Sequence, residues 1–148
     1  MIDTALIHRL LLNLRGYRQD LREFESVNLD SFRVDIRTQR YAERTLHVAI
    51  ECCMDICHHL ISDQRWREPD SYADAFNVLA EHGVLTAEST GKYRLMAQFR
   101  NKLVHYYEKI EPEQVLSIAR SHAADFTDFA NAVAAWIASP QADGDSKQ

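Results

Sequence analysis

Apolar residues recur every three or four positions along most of the chain, which is the spacing of amphipathic α-helices. The first such row follows Asp3, which is placed to cap a helix that reaches into the segment around Phe24. Cap-type residues then interrupt the pattern, and a long second helix is predicted from about Phe32 to Ile61. The N-terminal part of the chain is therefore predicted to be wholly helical.

Cap and turn residues divide the rest of the chain into further helices. Ser71 and Asp74 resemble a capping box at the start of a short helix, which Gly83 ends in the position that favours glycine. Thr86 is placed to cap the next helix, and Pro112 suits the first turn of the last one. We therefore predict an all-α fold, an antiparallel helical bundle of four main helices plus a short helix.

The last helix carries an unbroken apolar row that ends shortly before the C-terminus. The row consists of Val115, Ile118, His122, Phe126, Phe129, Val133 and Trp136. His122 lies on this row, and we interpret it as a core histidine with a satisfied ring. Beyond it, residues 139–148 contain no apolar side chain except one alanine. We predict a single helical domain over residues 1–138 and a disordered tail over residues 139–148.

Composition supports a helical cytoplasmic protein. The 148 residues include four glycines and three prolines, which is little turn chemistry for an all-β fold. No apolar run reaches the roughly 18 uncharged residues of a membrane span, and the N-terminal segment lacks the features of a signal peptide. The three cysteines are an odd number within one short segment, so we expect free thiols in a reducing cytoplasm.

The chain is acidic, with a net charge of −5, yet one segment is basic. Residues 91–110 contain five basic side chains and a single acidic one. Any contact with nucleic acid must therefore be made by a local patch and not by the whole surface. Within this patch Lys102 is a candidate for substrate binding, although a cluster of charges is most often only a solvated face.

The stretch "FRNKLVHYYEKI", residues 99–110, holds the candidate chemistry. On a regular helix Tyr106 falls on the apolar stripe, whereas Arg100 and Tyr107 share one exposed flank and His105 lies on the other. Arg100 and His105 are then about 140° apart. This layout suits a groove that receives a substrate from outside, above all if a second copy faces it across a two-fold axis.

These side chains are suited to RNA cleavage without a metal or a cofactor. Histidine exchanges a proton near neutral pH, and arginine presents a charged fork to phosphate oxygens. His105 would act on the ribose 2′-OH or the leaving oxygen, Arg100 would stabilise charge on the phosphoryl group, and Asn101 would support either substrate or ring. Taken alone, R-x4-H is a short pattern that more often belongs to a solvated helix surface.

Three segments together resemble the HepT-like (DUF86) branch of the HEPN superfamily. They are "RYAERTLHVAIECCMDICHHLIS", "SYADAFNVLAEHGVL" and "FRNKLVHYYEKI", in the order and spacing of that family and covering about half of the chain. The resemblance implies a helical-bundle ribonuclease toxin that forms a homodimer or higher oligomer with two motifs in one cleft. It places the catalytic pair at Arg100 and His105 and the polar residue at Asn101.

The resemblance also implies a regulatory site at Tyr107, the last residue of an R-x4-H-x-Y motif. In that family a cognate nucleotidyltransferase antitoxin, MntA, transfers AMP from ATP to this tyrosine. An AMP group beside Arg100 would add negative charge and bulk, which would exclude RNA. Tyr106, on the apolar stripe, is expected to be inaccessible to such an enzyme.

Three alternatives remain open at this point. "CCMDICHH" could suggest a metal site, but its cysteines fall in apolar rows, so we interpret them as core residues and expect no metal. The chain could be a non-catalytic helical subunit that binds a nucleotidyltransferase. A row of four arginines on the second helix is either a solvated face or part of an RNA or antitoxin surface: Arg33, Arg37, Arg40 and Arg44.

Overall fold

A computed structural model describes residues 2–105 and 110–139 of the chain. These residues form seven α-helices and no strand, which confirms the all-α prediction. The helices are α1 (Thr4–Leu21), α2 (Leu29–Val34), α3 (Ile36–Gln64), α4 (Tyr72–Glu81), α5 (Thr90–Val104), α6 (Pro112–Ser121) and α7 (Ala123–Ala138). Short 3₁₀ turns, Arg22–Ser26 and Ala87–Ser89, precede α2 and α5. None of the described helices is both long enough and apolar enough to cross a membrane.

Two predicted helix starts, those of α1 and α4, are confirmed by side-chain caps. The Asp3 carboxylate accepts a hydrogen bond from the Leu6 amide at 3.1 Å, and the Ser71 hydroxyl accepts one from the Asp74 amide at 3.0 Å. Pro112 is the first residue of α6. Thr86 caps the 3₁₀ turn that precedes α5 and does not cap α5 itself. The amide groups of a first helical turn have no acceptor within the helix, and in α1 and α4 a neighbouring side chain supplies one.

The predicted helix from Phe32 to Ile61 is wrong at its start, because the backbone leaves the helical conformation at Asp35. This residue ends α2 and caps α3, accepting hydrogen bonds from the Thr38 amide at 3.2 Å and the Thr38 hydroxyl at 2.6 Å. These bonds favour the charged carboxylate and lower the pKa of Asp35. A short acidic side chain thus competes with the helical ladder and divides one predicted helix into two.

The predicted last helix is also two helices, α6 and α7, which meet at His122. His122 has φ −110° and ψ 1°, and its ring Nδ1 lies 3.1 Å from the Asp125 carboxylate. The ring is 49% exposed, so the prediction of a core histidine is wrong. The sequence pattern gives no sign of this break, because the spacing of three or four residues between apolar positions is the same on both sides of His122. The breaks at Asp35 and His122 together turn the predicted four main helices plus a short one into seven.

Helix α3 is the centre of the fold and contacts all six other helices. Its buried side chains include Cys52, Cys53 and Cys57, which confirms that the cysteines are core residues with free thiols. Burial raises the pKa of Cys52 to about 11 and raises those of Cys53 and Cys57 further. The position of any residue on α3 is therefore fixed by packing on several sides.

Arg67 holds the connection from α3 to α4 in place. Its guanidinium group donates to both oxygens of Asp74, at 2.7 and 3.1 Å, and to Glu81 at 2.9 to 3.2 Å. Asp74 also accepts a hydrogen bond from the Asp70 amide at 2.9 Å. The charged partner keeps the pKa of Asp74 well below its usual range and lowers that of Glu81. The first turn of α4 is thereby fixed relative to the end of α3.

Replacement of Arg67 by methionine is expected to weaken the dependence of stability on acid pH. An unfolded aspartate has a pKa of about 3.9, and Asp74 lies below it in the folded chain. The ion pair therefore contributes stability that is fully present above the unfolded value and is lost as the pH falls through the folded value. The urea midpoint should fall more in the wild type than in Arg67→Met between about pH 6 and about pH 3.

Arg22→Met is the matched control, because the ion pair of Arg22 with Glu25 is long, at 3.9 Å, and exposed. Its acid dependence should follow that of the wild type. Identical acid dependence in all three proteins would show that Arg67 does not stabilise the folded state through Asp74.

Candidate functional site

Arg100 lies in the last turns of α5 and is bound by a glutamate of α3. Its Nε donates to Oε1 of Glu51 at 2.5 Å, and the two side chains are only 18% and 33% exposed. The prediction that Arg100 lies on an exposed flank is therefore wrong. The side of α5 that carries Arg100 faces α3. A charged side chain that is withdrawn from water in this way requires a partner of opposite charge. Glu51 supplies this partner.

Two more residues of α3 extend the contact away from Arg100. His47 Nε2 lies 3.3 Å from the same Glu51 oxygen, and Arg44 Nη1 lies 3.4 Å from His47 Nδ1. A guanidinium group can only donate, so Nδ1 accepts and Nε2 carries the proton in the neutral ring. Arg44, His47, Glu51 and Arg100 thus form a continuous line of polar contacts. The arrangement fixes the orientation of Glu51, and with it that of Arg100.

An aromatic ring lies against the same guanidinium group. The central carbon of Arg100 is 4.8 Å from the ring centroid of Tyr72, the first residue of α4. This distance is within the range of a cation–π contact. Arg100 is therefore oriented from two sides, by a carboxylate of α3 and a ring of α4.

His105 does not lie on the helix that carries Arg100. Helix α5 ends at Val104, and His105 has φ −92° and ψ 74°, with its amide donating to the Asn101 carbonyl at 3.2 Å. The predicted angle of about 140° between the two side chains assumes helical backbone at every residue, and His105 lies one residue beyond the end of α5. His105 is exposed, as predicted, at the point where the chain leaves α5.

The other predicted site residues lie near the end of α5. Asn101 is exposed and its Oδ1 accepts a hydrogen bond from Arg100 Nη1 at 3.3 Å. Lys102 is exposed and lines a cleft of about 730 Å³ whose opposite wall includes Arg40, Arg44 and His47. The predicted modification site, Tyr107, lies outside the described residues, as does Tyr106. The structure therefore brings Arg100, Asn101, Lys102 and His105 to one end of α5.

The predicted row of arginines is not one free surface. Arg33 pairs with Glu113 of α6 at 2.5 Å, and Arg40 pairs with Glu43 at 2.8 Å. Part of the basic patch is neutralised in the same way, because Lys92 pairs with two aspartates of α7, at 2.9 and 3.6 Å. The positive charge that remains near the site is therefore smaller than the sequence suggests.

Sequence reasoning missed three residues that contact or orient Arg100: His47, Glu51 and Tyr72. Glu51 could have been found, because it is a carboxylate within the otherwise apolar run "VAIECCM". Tyr72 follows a capping serine and gives no comparable signal. Among residues 2–105 and 110–139 there is no group of three or more His, Cys, Asp or Glu side chains placed to hold a metal ion.

Comparison with known proteins gives a consistent result. The model of the family described as Ribonuclease HepT-like matches residues 14–133. The "tRNA nuclease HepT" of Aphanizomenon flos-aquae is 29% identical over 114 residues, which cover 77% of this chain and 78% of that protein. The "mRNA nuclease HepT" of Shewanella oneidensis is 28% identical over 104 residues, which cover 70% of this chain and 78% of that protein.

A solved structure shows the same fold. It is that of a tri-AMPylated Shewanella oneidensis HEPN toxin in complex with MNT antitoxin. The match has a TM-score of 0.80 and 24% sequence identity, and it covers 91% of this chain and 99% of that chain. The helical arrangement described above is therefore that of a HEPN toxin.

The ion pair between Glu51 and Arg100 is expected to contribute measurably to stability. In a double-mutant cycle of Glu51→Gln and Arg100→Gln, we expect a coupling energy of about 1 kcal/mol, because both groups are partly withdrawn from water. Urea unfolding at neutral pH measures it. The control is the pair of Arg40→Gln and Glu43→Gln, in which Arg40 is 65% exposed. Coupling no larger than in this control pair would show that Glu51 does not hold Arg100 in solution.

Proposed function

The chain belongs to the HepT-like family of ribonucleases, and on that premise we propose that it is the toxin of a toxin–antitoxin pair, which cleaves RNA with Arg100 and His105. The observation that carries this proposal is the placement of Arg100 by Glu51 and Tyr72, in the last helical turns before His105. These contacts hold the guanidinium group on the helix that leads directly to the exposed His105. The pair supplies two functions that metal-independent RNA cleavage uses, proton transfer and stabilisation of phosphoryl charge.

In the proposed reaction His105 takes the proton from a ribose 2′-OH, and the 2′ oxygen attacks the adjacent phosphorus. The bond from phosphorus to the 5′ oxygen breaks, and a proton must be returned to that oxygen as it leaves. Arg100 stabilises the charge that builds on the phosphoryl oxygens. Its Nε is bound to Glu51, so the ends of the fork face the phosphate. Asn101 holds one of these ends, and Lys102 contacts the RNA strand.

In this reaction each chain supplies one catalytic histidine, His105. The proton that returns to the leaving oxygen therefore needs a second donor. We propose that a homodimer supplies it, with the His105 residues of two chains at a shared cleft. The position of His105 at the end of α5 supports this, because a residue there reaches beyond the face that α5 packs against α3. No metal ion or cofactor takes part in the proposed step.

We further propose that a partner nucleotidyltransferase silences the enzyme by modifying Tyr107. The phenol oxygen would attack the α-phosphorus of ATP, so that AMP becomes attached and pyrophosphate leaves. Support comes from the R-x4-H-x-Y spacing in this chain and from the tri-AMPylated state of the Shewanella oneidensis toxin. The added negative charge would repel RNA and compete for Arg100.

Arg100→Ala and His105→Ala are each expected to lower the rate of RNA cleavage by about 100-fold or more, since each removes a group that acts in the transition state. Cleavage of a fluorescent RNA in EDTA measures the rate, and circular dichroism verifies the fold. Arg94→Ala is the matched control, because it removes an exposed positive charge from the same helix. If both site variants cleave at the wild-type rate, Arg100 and His105 are not the catalytic residues. Absence of cleavage by the wild type would instead favour a non-catalytic binding subunit.

Mixing the two inactive variants tests the shared cleft within the same experiment. When Arg100→Ala and His105→Ala chains are refolded together, a site built from two chains regains part of its activity, whereas two self-contained sites stay inactive. Recovery must depend on forming the mixed dimer, so each variant refolded alone is the control.

Tyr107→Phe is expected to remain active on RNA but to escape silencing by the nucleotidyltransferase, because it lacks the accepting hydroxyl. Tyr106→Phe is the matched control and should be silenced like the wild type. Peptide mass spectrometry after incubation with the partner, ATP and Mg²⁺ locates the AMP group. An unmodified Tyr107 in a fully silenced complex would show that the partner inhibits by binding alone.

A further inference from the structure

Tyr72 is a large aromatic residue that leaves 47% of its surface exposed at the start of α4. Its ring contacts the guanidinium group of Arg100 at 4.8 Å and stacks on His58 of α3, with 5.8 Å between the ring centroids and 28° between the planes. The 47% exposure of the residue leaves part of its surface open to a ligand. An exposed aromatic ring beside a phosphate-binding arginine is a frequent arrangement where proteins bind single-stranded RNA.

A cleft opens beside this ring, between the end of α3 and the start of α4. It has a volume of about 660 Å³, and its walls include Tyr72, His58 and Trp66. Clefts of about 300–1,000 Å³ with aromatic walls and a few polar groups are typical of small-molecule sites. The cleft therefore has room for one base of a nucleic-acid strand.

We propose that this cleft binds a nucleobase of the RNA substrate, with Tyr72 and His58 as its stacking surface. This inference rests on the proposed ribonuclease function and adds a substrate subsite to it. The base belongs to a nucleotide next to the phosphate that Arg100 contacts, because Tyr72 touches both the cleft and the guanidinium group. Phosphate and base would thus be bound on the two sides of one tyrosine ring.

The charges of the cleft favour a neutral planar ligand over a phosphate group. Its walls carry two carboxylates, Glu68 and Asp70, against one guanidinium group, that of Arg65. A phosphate would be repelled here, whereas a base is uncharged and has edges that hydrogen-bond to carboxylate and hydroxyl oxygens. The hydroxyl of Ser62 also lines the wall. The site thus differs in character from the cleft beside Lys102.

The proposed stacking surface, formed by Tyr72 and His58, is held in place before substrate binds. Ser71 caps α4 directly before Tyr72, and Arg67 fixes the same turn through Asp74 and Glu81. A ring held in this way loses little conformational freedom when a base stacks on it. The ion pairs of Arg67 thus also support substrate binding in this proposal, because they hold the stacking surface at a fixed distance from Arg100.

A test uses an RNA that the wild-type chain cleaves and versions of it with one base removed at successive positions. Removing the base that occupies the cleft should raise the wild-type KM about tenfold. Tyr72→Leu should raise the KM for intact RNA by about the same factor and should no longer respond to loss of that base. Tyr72→Phe keeps the ring and should still respond to loss of that base.

Tyr41→Leu is the matched control, because Tyr41 is also a partly exposed tyrosine, 42% accessible, but its ring packs on Phe24 away from Arg100. It should keep the wild-type profile of sensitivity to missing bases. His58→Ala provides a second variant of the stacking surface if Tyr72→Leu does not fold, and it should lose the same sensitivity.

Three outcomes would overturn the inference. An unchanged profile in Tyr72→Leu and His58→Ala would show that no base occupies the cleft. A fall in kcat with KM unchanged would show that Tyr72 only positions Arg100. Unchanged cleavage combined with loss of silencing would make the cleft a contact for the partner protein. Absence of cleavage by the wild type itself would instead contradict the proposed function.

Discussion

The ion pair of Arg100 with Glu51 is the interaction on which the candidate site depends. It joins α5 to α3, the helix that contacts every other helix, so the arginine is fixed relative to the whole core. An arginine on a free surface samples many orientations and loses that freedom each time it binds a phosphate. Here Glu51 and Tyr72 restrict the side chain in advance, which is the condition for strong electrostatic stabilisation of a transition state.

The pairing of positive side chains with carboxylates also explains how a chain with a net negative charge can bind RNA at one place. Arg33, Arg67 and Lys92 each meet a carboxylate and serve the fold. The site is different, because Glu51 occupies only one edge of the Arg100 guanidinium group and the side chain remains 18% exposed. Part of the positive charge elsewhere is thus compensated by carboxylates, which reduces non-specific binding along the surface, whereas the Arg100 side chain keeps some accessible surface at one end of α5.

Periodicity predicted the helices and the core well, since apolar spacing and cap residues such as Asp3 and Ser71 act locally. It failed at Asp35 and His122, where one residue leaves the helical conformation without disturbing the phase of the apolar row. It failed again at His105, because no glycine or proline near this residue marks the end of α5. Glu51 and Tyr72 were missed because their roles depend on contacts between helices, which sequence spacing does not show.

Glu51 lies beside the arginine that we propose as catalytic, and its negative charge reduces the attraction of that arginine for RNA. The cost is limited, because an arginine remains charged at any physiological pH and Glu51 binds only Nε. The gain lies in orientation, because the hydrogen bond to Nε restricts the rotation of the guanidinium group relative to α3. His47 lies beside the same carboxylate oxygen, with its Nε2 3.3 Å away. The site thus loses some long-range attraction for RNA and gains a fixed orientation of the guanidinium group. Stabilisation of the charge on a phosphoryl oxygen in contact with that group depends more on the orientation.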